Sequence, residues 1–234
     1  MVKILCTICA RGGSKGVKNK NLKRINGIPL IVRTIKQANS LNIFENIVIS
    51  TDSKKMENLA TRNNVFSIGL RKKSLSGDNI PKIDAIRDAV NLSENLLNKK
   101  FDIIVDLDVS SPLRSNQDIK KAISNFFRTK SDNLITVCEA RKNPYYNMLE
   151  LNSEGKIKKV KKSKVKITSR QSAPKVFEMN ASFYIWKKNI LFSNSPFYRK
   201  KTLLYEMPFI RSIDIDSIHD FNLVESLLKA NEKK

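Results

Sequence analysis

The chain has 234 residues, 41% of them hydrophobic, with a formal charge of +22 from 44 Lys and Arg against 22 Asp and Glu. That length buries a substantial core and fits one α/β domain with a small appendage. A single histidine, His219, excludes a His-rich metal tract and gives no Ser-His-Asp arrangement at its position, and no EF-hand pattern is present.

The first apolar run, residues 4–9, predicts a buried strand. It is too short for a signal-peptide core or a membrane span, which, with only three cysteines, predicts a cytoplasmic protein without a membrane partner. Cys6 and Cys9 form a C-x-x-C, a pattern used in redox chemistry and zinc sites. With no second such pair and one histidine, both read as small core residues.

Ala10-Arg11-Gly12-Gly13-Ser14-Lys15-Gly16 follows this strand, and Lys18, Lys20 and Asn21 come next. Glycines let backbone N–H groups turn inward toward an anion, and the surrounding cations raise the local potential. Neither a Walker A motif nor Gly-x-Gly-x-x-Gly fits these residues. A flexible basic turn is the plain alternative; the strand position, three glycines and four cations together favour a phosphate-binding loop.

Further apolar runs at 45–51, 65–69, 102–107 and 133–139 predict strands spaced too widely for hairpins. Helical patterns lie between them, on Leu30, Ile31, Thr34, Ile35 and Ala38, and on Ile83, Ile86, Val90 and Leu97 after Pro81. Residues 115–128 form another, with Ser115 as N-cap. Alternating strands and helices with non-alternating strands imply a mostly parallel, Rossmann-like sheet covered on both faces. Ligands in such sheets bind beyond the carboxyl ends of the strands, where residues 10–21 and the segments after 51, 69 and 107 lie.

The alternation breaks after about residue 140. Residues 141–180 are polar and Lys-rich, a basic hairpin is expected at 156–166 with Ile157, Val160, Val165 and Ile167 on one side, and 182–186 reads as a strand. Near the end, Asp214 and Asp216 follow an apolar run at i and i+2. Two close carboxylates suit a hard cation such as Mg²⁺ bridging phosphates; alternatively Asp216 or Ser217 caps the helix through Phe221, Val224 and Leu227. Val105-Asp106-Leu107-Asp108-Val109-Ser110-Ser111-Pro112-Leu113-Arg114 closes another strand, where Asp108 reads either as a ligand contact or as a strand-end residue.

The loop at 10–21, the Ser-Pro-Leu-Arg at 111–114 and the late Asp-x-Asp resemble the CMP-sugar synthetases, cytidylyltransferases that activate sialic and related nonulosonic acids. The resemblance runs almost the full chain and implies a nucleotide-diphospho-sugar transferase fold over 1–234, with about 141–186 protruding as a dimerisation and sugar-side element. It implies CTP, a 2-keto nonulosonic acid and Mg²⁺ as ligands, and a homodimer. Arg11, Lys20, Asp214 and Asp216 would be catalytic, with the metal on the two aspartates. Ala10, Gly12, Gly13, Ser14, Lys15, Asn21, Arg71 and Asp78 would join Arg11 and Lys20 around the nucleotide. Asp108, Ser110, Arg114, Arg170, Gln171 and Asn180 would face the sugar, although Arg71, Arg170 and Asn180 also fit ordinary surface or turn duty.

The chain departs from the sialate pattern at Asp108, where many relatives carry Gln, at Val109, where they carry Pro, and at Lys72. An acid for an amide loses a donor and adds charge beside an anionic sugar. A cytidylyltransferase for the eight-carbon acid KDO is the nearest alternative within the enzymes. A nucleic-acid-binding protein is the alternative outside them, disfavoured because the basic residues are scattered and no nucleic-acid module is recognisable.

Overall fold

In a computed structural model that describes residues 2–14 and 16–231, the apolar runs become strands of one sheet. Strand β1 (Ile4–Cys9) leads to the short antiparallel pair β2 (Arg24–Ile25) and β3 (Ile28–Pro29) and then helix α1 (Leu30–Leu41). Next come β4 (Asn46–Thr51), α2 (Lys54–Thr61), β5 (Phe66–Leu70), α3 (Lys82–Leu97), β6 (Ile103–Leu107), α4 (Asn116–Arg128) and β7 (Asn133–Glu139). The small hairpin β8 (Leu149–Leu151) and β9 (Ile157–Lys159) precedes β10 (Phe177–Lys187), α5 (Lys188–Leu191), β11 (Thr202–Glu206) and α6 (Ile218–Asn231).

Among the described residues seven strands pair in the order β11-β7-β10-β6-β1-β4-β5. β10 runs antiparallel to both neighbours, and the remaining pairings are parallel. β1 is buried at every position because both faces of the sheet are covered, which explains its unbroken apolar run. One layer holds Leu30, Ile31 and Ile35 of α1, Ile119 and Phe126 of α4, and Val224 of α6 against Cys6, Ile8 and Val105. The other holds Ile86, Ala89 and Val90 of α3 against Leu5, Cys9 and Ile104. Strand parity places Cys6 and Cys9 on opposite faces, so this C-x-x-C is two separate buried thiols. The same parity sends Asp106 and Asp108 to the α3 side of β6.

Local chemistry sets the helix starts. Pro81 immediately precedes α3, and Ser115 forms a capping box with Asp118 at α4, its Oγ accepting from the Asp118 amide at 3.1 Å. Among the described residues no helix is long and apolar enough to cross a membrane.

Two expectations are corrected. The hairpin centres on the turn at 152–156 rather than on 156–166, and 160–166 forms no strand. Gly155, at φ +75°, supplies the left-handed residue of that turn and its N–H donates to the Asn152 carbonyl at 2.9 Å. The late strand starts at Phe177, not 182, because a bulge around Ala181, at φ +50°, lets it pair with β7 on both sides of the irregularity.

Candidate active site

The carboxyl ends of β1, β5 and β6 open into a cavity of about 370 Å³. Its first wall is the glycine-rich loop, tied down at several points. The Ala10 amide continues the ladder to the Ser50 carbonyl at 3.0 Å, and Asn21 Nδ2 donates to the Arg11 carbonyl at 3.0 Å. The Gly12 amide donates to Asp52 Oδ1 at 2.6 Å, so this N–H, expected to face an anion, is held by a carboxylate. The Arg11 guanidinium reaches across to Asp78 at 2.5 Å, and Arg71 grips Ser50 through its carbonyl at 2.5 Å and its Oγ at 3.1 Å.

The second wall is the late acidic segment. Ile215 is fully buried and its amide donates to the Ser110 carbonyl at 3.0 Å. Its extended neighbours Asp214 and Asp216 are therefore turned to the opposite side, where both line the cavity. Ser217 takes the helix cap: its amide and Oγ each donate to Asp220 Oδ2 at 2.7 Å, and its Oγ accepts from the Asp220 amide at 3.2 Å. Of the two readings of this stretch, capping thus falls to Ser217 and Asp220 and leaves both earlier aspartates facing the cavity. Lys20 stitches the walls together, its Nζ donating to the Ile215 carbonyl and to Asp216 Oδ1 at 3.3 Å. Gly16 lies directly against this segment: a Cβ there would sit 1.9 Å from the Asp216 carbonyl oxygen.

Asp214 is electrostatically strained. Burial, then the carboxylates of Asp108 and Asp216, push its pKa up to about 6, and its Oδ1 is buried without a hydrogen-bond partner. An orphaned carboxylate oxygen beside a second carboxylate suits a hard divalent cation. Among the described residues no three His, Cys, Asp or Glu side chains converge on one point, so the protein alone does not form a complete cage.

The floor comes from β6 and the start of α3. Lys82 Nζ lies 2.7 Å from Asp106 Oδ2 and 2.6 Å from Asp108 Oδ2. Thr7 Oγ1 donates to the other Asp106 oxygen at 2.8 Å, and Ser110 donates to Asp108 Oδ1 through its amide at 2.9 Å and its Oγ at 2.6 Å. Burial alone would raise the Asp108 pKa, yet Lys82 and Ser110 together hold it well below the usual carboxylate range. Burial likewise opposes the charge on Lys82, and the two aspartates overcome it, raising its pKa well above the ordinary lysine value.

The structure thus gathers Ala10, Arg11, Ser14, Lys20, Asn21, Arg71, Asp108, Ser110, Asp214 and Asp216 around one cavity. Gly12 and Gly13 are not lining residues, and Asp78 reaches the wall through Arg11. Lys15 lies outside the described residues. Four residues expected at the sugar are elsewhere. Arg114 is buried beneath the floor, donating to Gln37 Oε1 at 3.0 Å and to the carbonyls of Asp108 and Ser182, so it holds the strand ends together. Asn180 is also buried and ties the β10 bulge to Ser212 at 2.8 Å, just ahead of the acidic segment. Arg170 and Gln171 line a separate hollow of about 220 Å³, with Arg170 Nη2 donating to the Ala140 carbonyl at 3.2 Å. Lys82 and Asp106 escaped the sequence reading. Their signal was a cation at the first position of a helix and an acid inside an apolar strand, both unfavourable unless paired.

A family model described as Cytidylyltransferase matches residues 5–233. The chain is 45% identical over 229 residues to post-translational flagellin modification protein B of Campylobacter coli, covering 98% of this chain and 96% of that protein. It is 44% identical over 228 residues to CMP-N,N'-diacetyllegionaminic acid synthase of Campylobacter jejuni, covering 97% and 96%. A solved structure of CMP:2-keto-3-deoxy-manno-octonic acid synthetase complexed with CTP superposes with a TM-score of 0.68 at 13% identity, covering 98% of this chain and 99% of that one, a likeness of fold.

Proposed function

The chain belongs to the cytidylyltransferase family of CMP-sugar synthetases, and on that premise we propose that it joins CTP to a nonulosonic acid of the diacetyllegionaminic type, releasing pyrophosphate. The observation that carries the reading is the convergence of the basic glycine loop and the Asp214–Asp216 pair on one cavity, stitched through Lys20. The 44% likeness to the legionaminic acid synthase supports the choice of sugar.

The reaction forms a bond from the anomeric oxygen to the α-phosphorus and breaks the α–β phosphoanhydride; the hydroxyl proton goes to the carboxylate pair or to solvent. No protein nucleophile is needed, so the residues act by placing charge and aligning the two reactants. Arg11 and Lys20 neutralise the triphosphate, Arg71 and Asn21 shape the nucleoside side, and Ser110 with Asp108 forms the sugar side next to Asp214. Asp214 and Asp216 would hold a divalent cation such as Mg²⁺, with substrate phosphate oxygens completing its shell. Such an ion supplies Lewis-acid stabilisation of the charge developing at the α-phosphate. The large positive charge of the chain favours the approach of both anionic substrates.

The test is pyrophosphate release with each nucleoside triphosphate and Mg²⁺ against legionaminic, pseudaminic and sialic acids and the eight-carbon KDO. Release confined to CTP and greatest with diacetyllegionaminic acid is expected. Silence with every acid would sink the reading, and preference for KDO would reassign the sugar.

The reading includes a second copy of the chain. The β8–β9 hairpin presents Leu149, Leu151 and Ile157 at 63, 68 and 70% exposure, a small apolar face suited to association. Light scattering is expected to give twice the chain mass, falling to the single mass in Leu151→Glu/Ile157→Glu. A monomeric wild type excludes this interface.

A further inference from the structure

The cation at the cavity floor has no place in the scheme above. Lys82 is the first residue of α3, where the helix dipole disfavours positive charge, and its side chain keeps only a third of its surface exposed. Two carboxylates hold it there. Asp106 is fully buried in the middle of β6, with one oxygen on Thr7 and the other on Lys82; Asp108 stands two residues further, on the same face, with Lys82 at 2.6 Å. Lys82, Asp106 and Asp108 together carry a net negative charge. A net negative trio disfavours the carboxylate of a sugar acid or a phosphate at the floor and suits a neutral, donor-bearing edge of the substrate.

Asp108 is also nearly saturated. An ionised carboxylate offers roughly four lone-pair directions. Ser110 fills both on Oδ1, and Lys82 takes one on Oδ2. One acceptor direction remains, on a side chain that lines the cavity. Ser110 lies against both Asp108 and Asp214, which puts that free direction one hydroxyl away from the acidic pair.

We propose that Lys82 is a positioning residue for the sugar: paired with Asp106 and Asp108, it fixes the Asp108 carboxylate as a charged acceptor that selects a hydroxyl or amide N–H of the substrate beside the reacting centre. This rests on the activity proposed above and deepens it by assigning the specificity element. The direction of selection follows from chemistry. An acceptor-only group rewards a donor and penalises an acceptor or an anion at the same place, whereas an amide at this position would accept either.

The experiment is steady-state kinetics on the full chain with CTP, Mg²⁺ and the nonulosonic acid that the wild type uses. Lys82→Met alone leaves the fully buried Asp106 unpaired, so the working variant is Lys82→Met/Asp106→Asn, which removes that charge with its partner and leaves Asp108 held by Ser110 at the cavity edge; its melting temperature is recorded alongside. The KM for the sugar is expected to rise about 30-fold, the loss of one charge-assisted hydrogen bond, with the KM for CTP within about 3-fold of wild type. Lys82→Arg is expected to stay within about 5-fold for the sugar, because it keeps the charge and donors. Asp108→Asn is expected to match the double variant. Combining all three changes should add less than about 2-fold, since Lys82 acts through Asp108. An effect that falls on the KM for CTP, effects that multiply in the triple variant, or an unchanged sugar KM would each overturn the inference while the activity itself stands. A wild type silent with every nonulosonic acid overturns the activity and the inference together.

Discussion

Asp214→Asn is expected to lower kcat about 10³-fold and, at the same time, to make the protein more stable at pH 8. The two effects share one origin. Asp214 sits among Asp108 and Asp216 with a buried, unpartnered Oδ1, and burial with these neighbours lifts its pKa from 3.8 to about 6. Its folded pKa lies above its unfolded one, so the folded state binds the proton more tightly. The folded protein is therefore favoured at low pH, and that advantage is lost as pH rises through about 6. At pH 8 the ionised carboxylate costs about 2 kcal/mol, taking 1.36 kcal/mol per unit and allowing for partial solvation. Asn removes the charge while keeping the shape, so its melting temperature at pH 8 should exceed the wild type's by roughly 5 °C. The gap should close below about pH 3, where the wild-type group is protonated in both states. The same group is expected to set the acid limb of catalysis. With free enzyme, log kcat/KM should fall with unit slope below about pH 6. A variant less stable than wild type at pH 8, or one retaining a tenth of the activity, would contradict the assignment of Asp214 as a charged group held for a cation.

The framework of this fold was legible wherever a residue's role depends on its near neighbours in the chain. Unbroken apolar runs marked β1, β4, β6 and β7 because a two-faced parallel sheet leaves no polar alternation. Ser115 announced the start of α4 because a cap needs only residues three apart. The glycine-rich loop and the aspartate pair could be read as motifs for the same reason. What stayed hidden depends on registry between distant segments. Lys82 meets Asp108 only because β6 lies beside β1 and α3 packs on the face to which parity turns Asp106 and Asp108. Arg114 carries no local sign that it is interior; it is drawn in by three acceptors supplied by α1, the end of β6 and β10. Burial lowers its pKa to about 10, still charged at neutral pH, and its bonds go to the protein's own carbonyls and to Gln37. Arg170 and Gln171 illustrate the opposite limit. Their segment leaves the sheet after β7 and returns only at β10, so within one chain nothing in the fold carries them to the cavity.

Gly16→Ala is expected to reduce kcat/KM about 10²-fold with the fold intact, although it adds one methyl group. Its Cβ would lie 1.9 Å from the carbonyl oxygen of Asp216 and 3.2 Å from the carbonyl carbon, and both are backbone atoms. No rotamer change relieves such a contact; either the loop or the acidic segment must move by about an ångström. The segment is fixed on its other side by the Ile215 amide on the Ser110 carbonyl and by Ile215 in the core, so the displacement falls on the loop and on Asp216. Lys20 spans this same junction, bonding the Ile215 carbonyl and Asp216, and separating the walls weakens that link as well. Asp216 is itself 79% exposed and the contact is at the cavity rim, so the cost to stability is expected to stay near 1 kcal/mol, a shift of only a few degrees in melting temperature. Gly16→Val should lose more activity than Gly16→Ala because its branched side chain forces the walls further apart. The measurements are kcat/KM for CTP and the melting temperature of each variant. Activity within about 3-fold of wild type for Gly16→Ala would show that the loop and the acidic pair need no close approach, and would remove the stitched junction as a condition for catalysis.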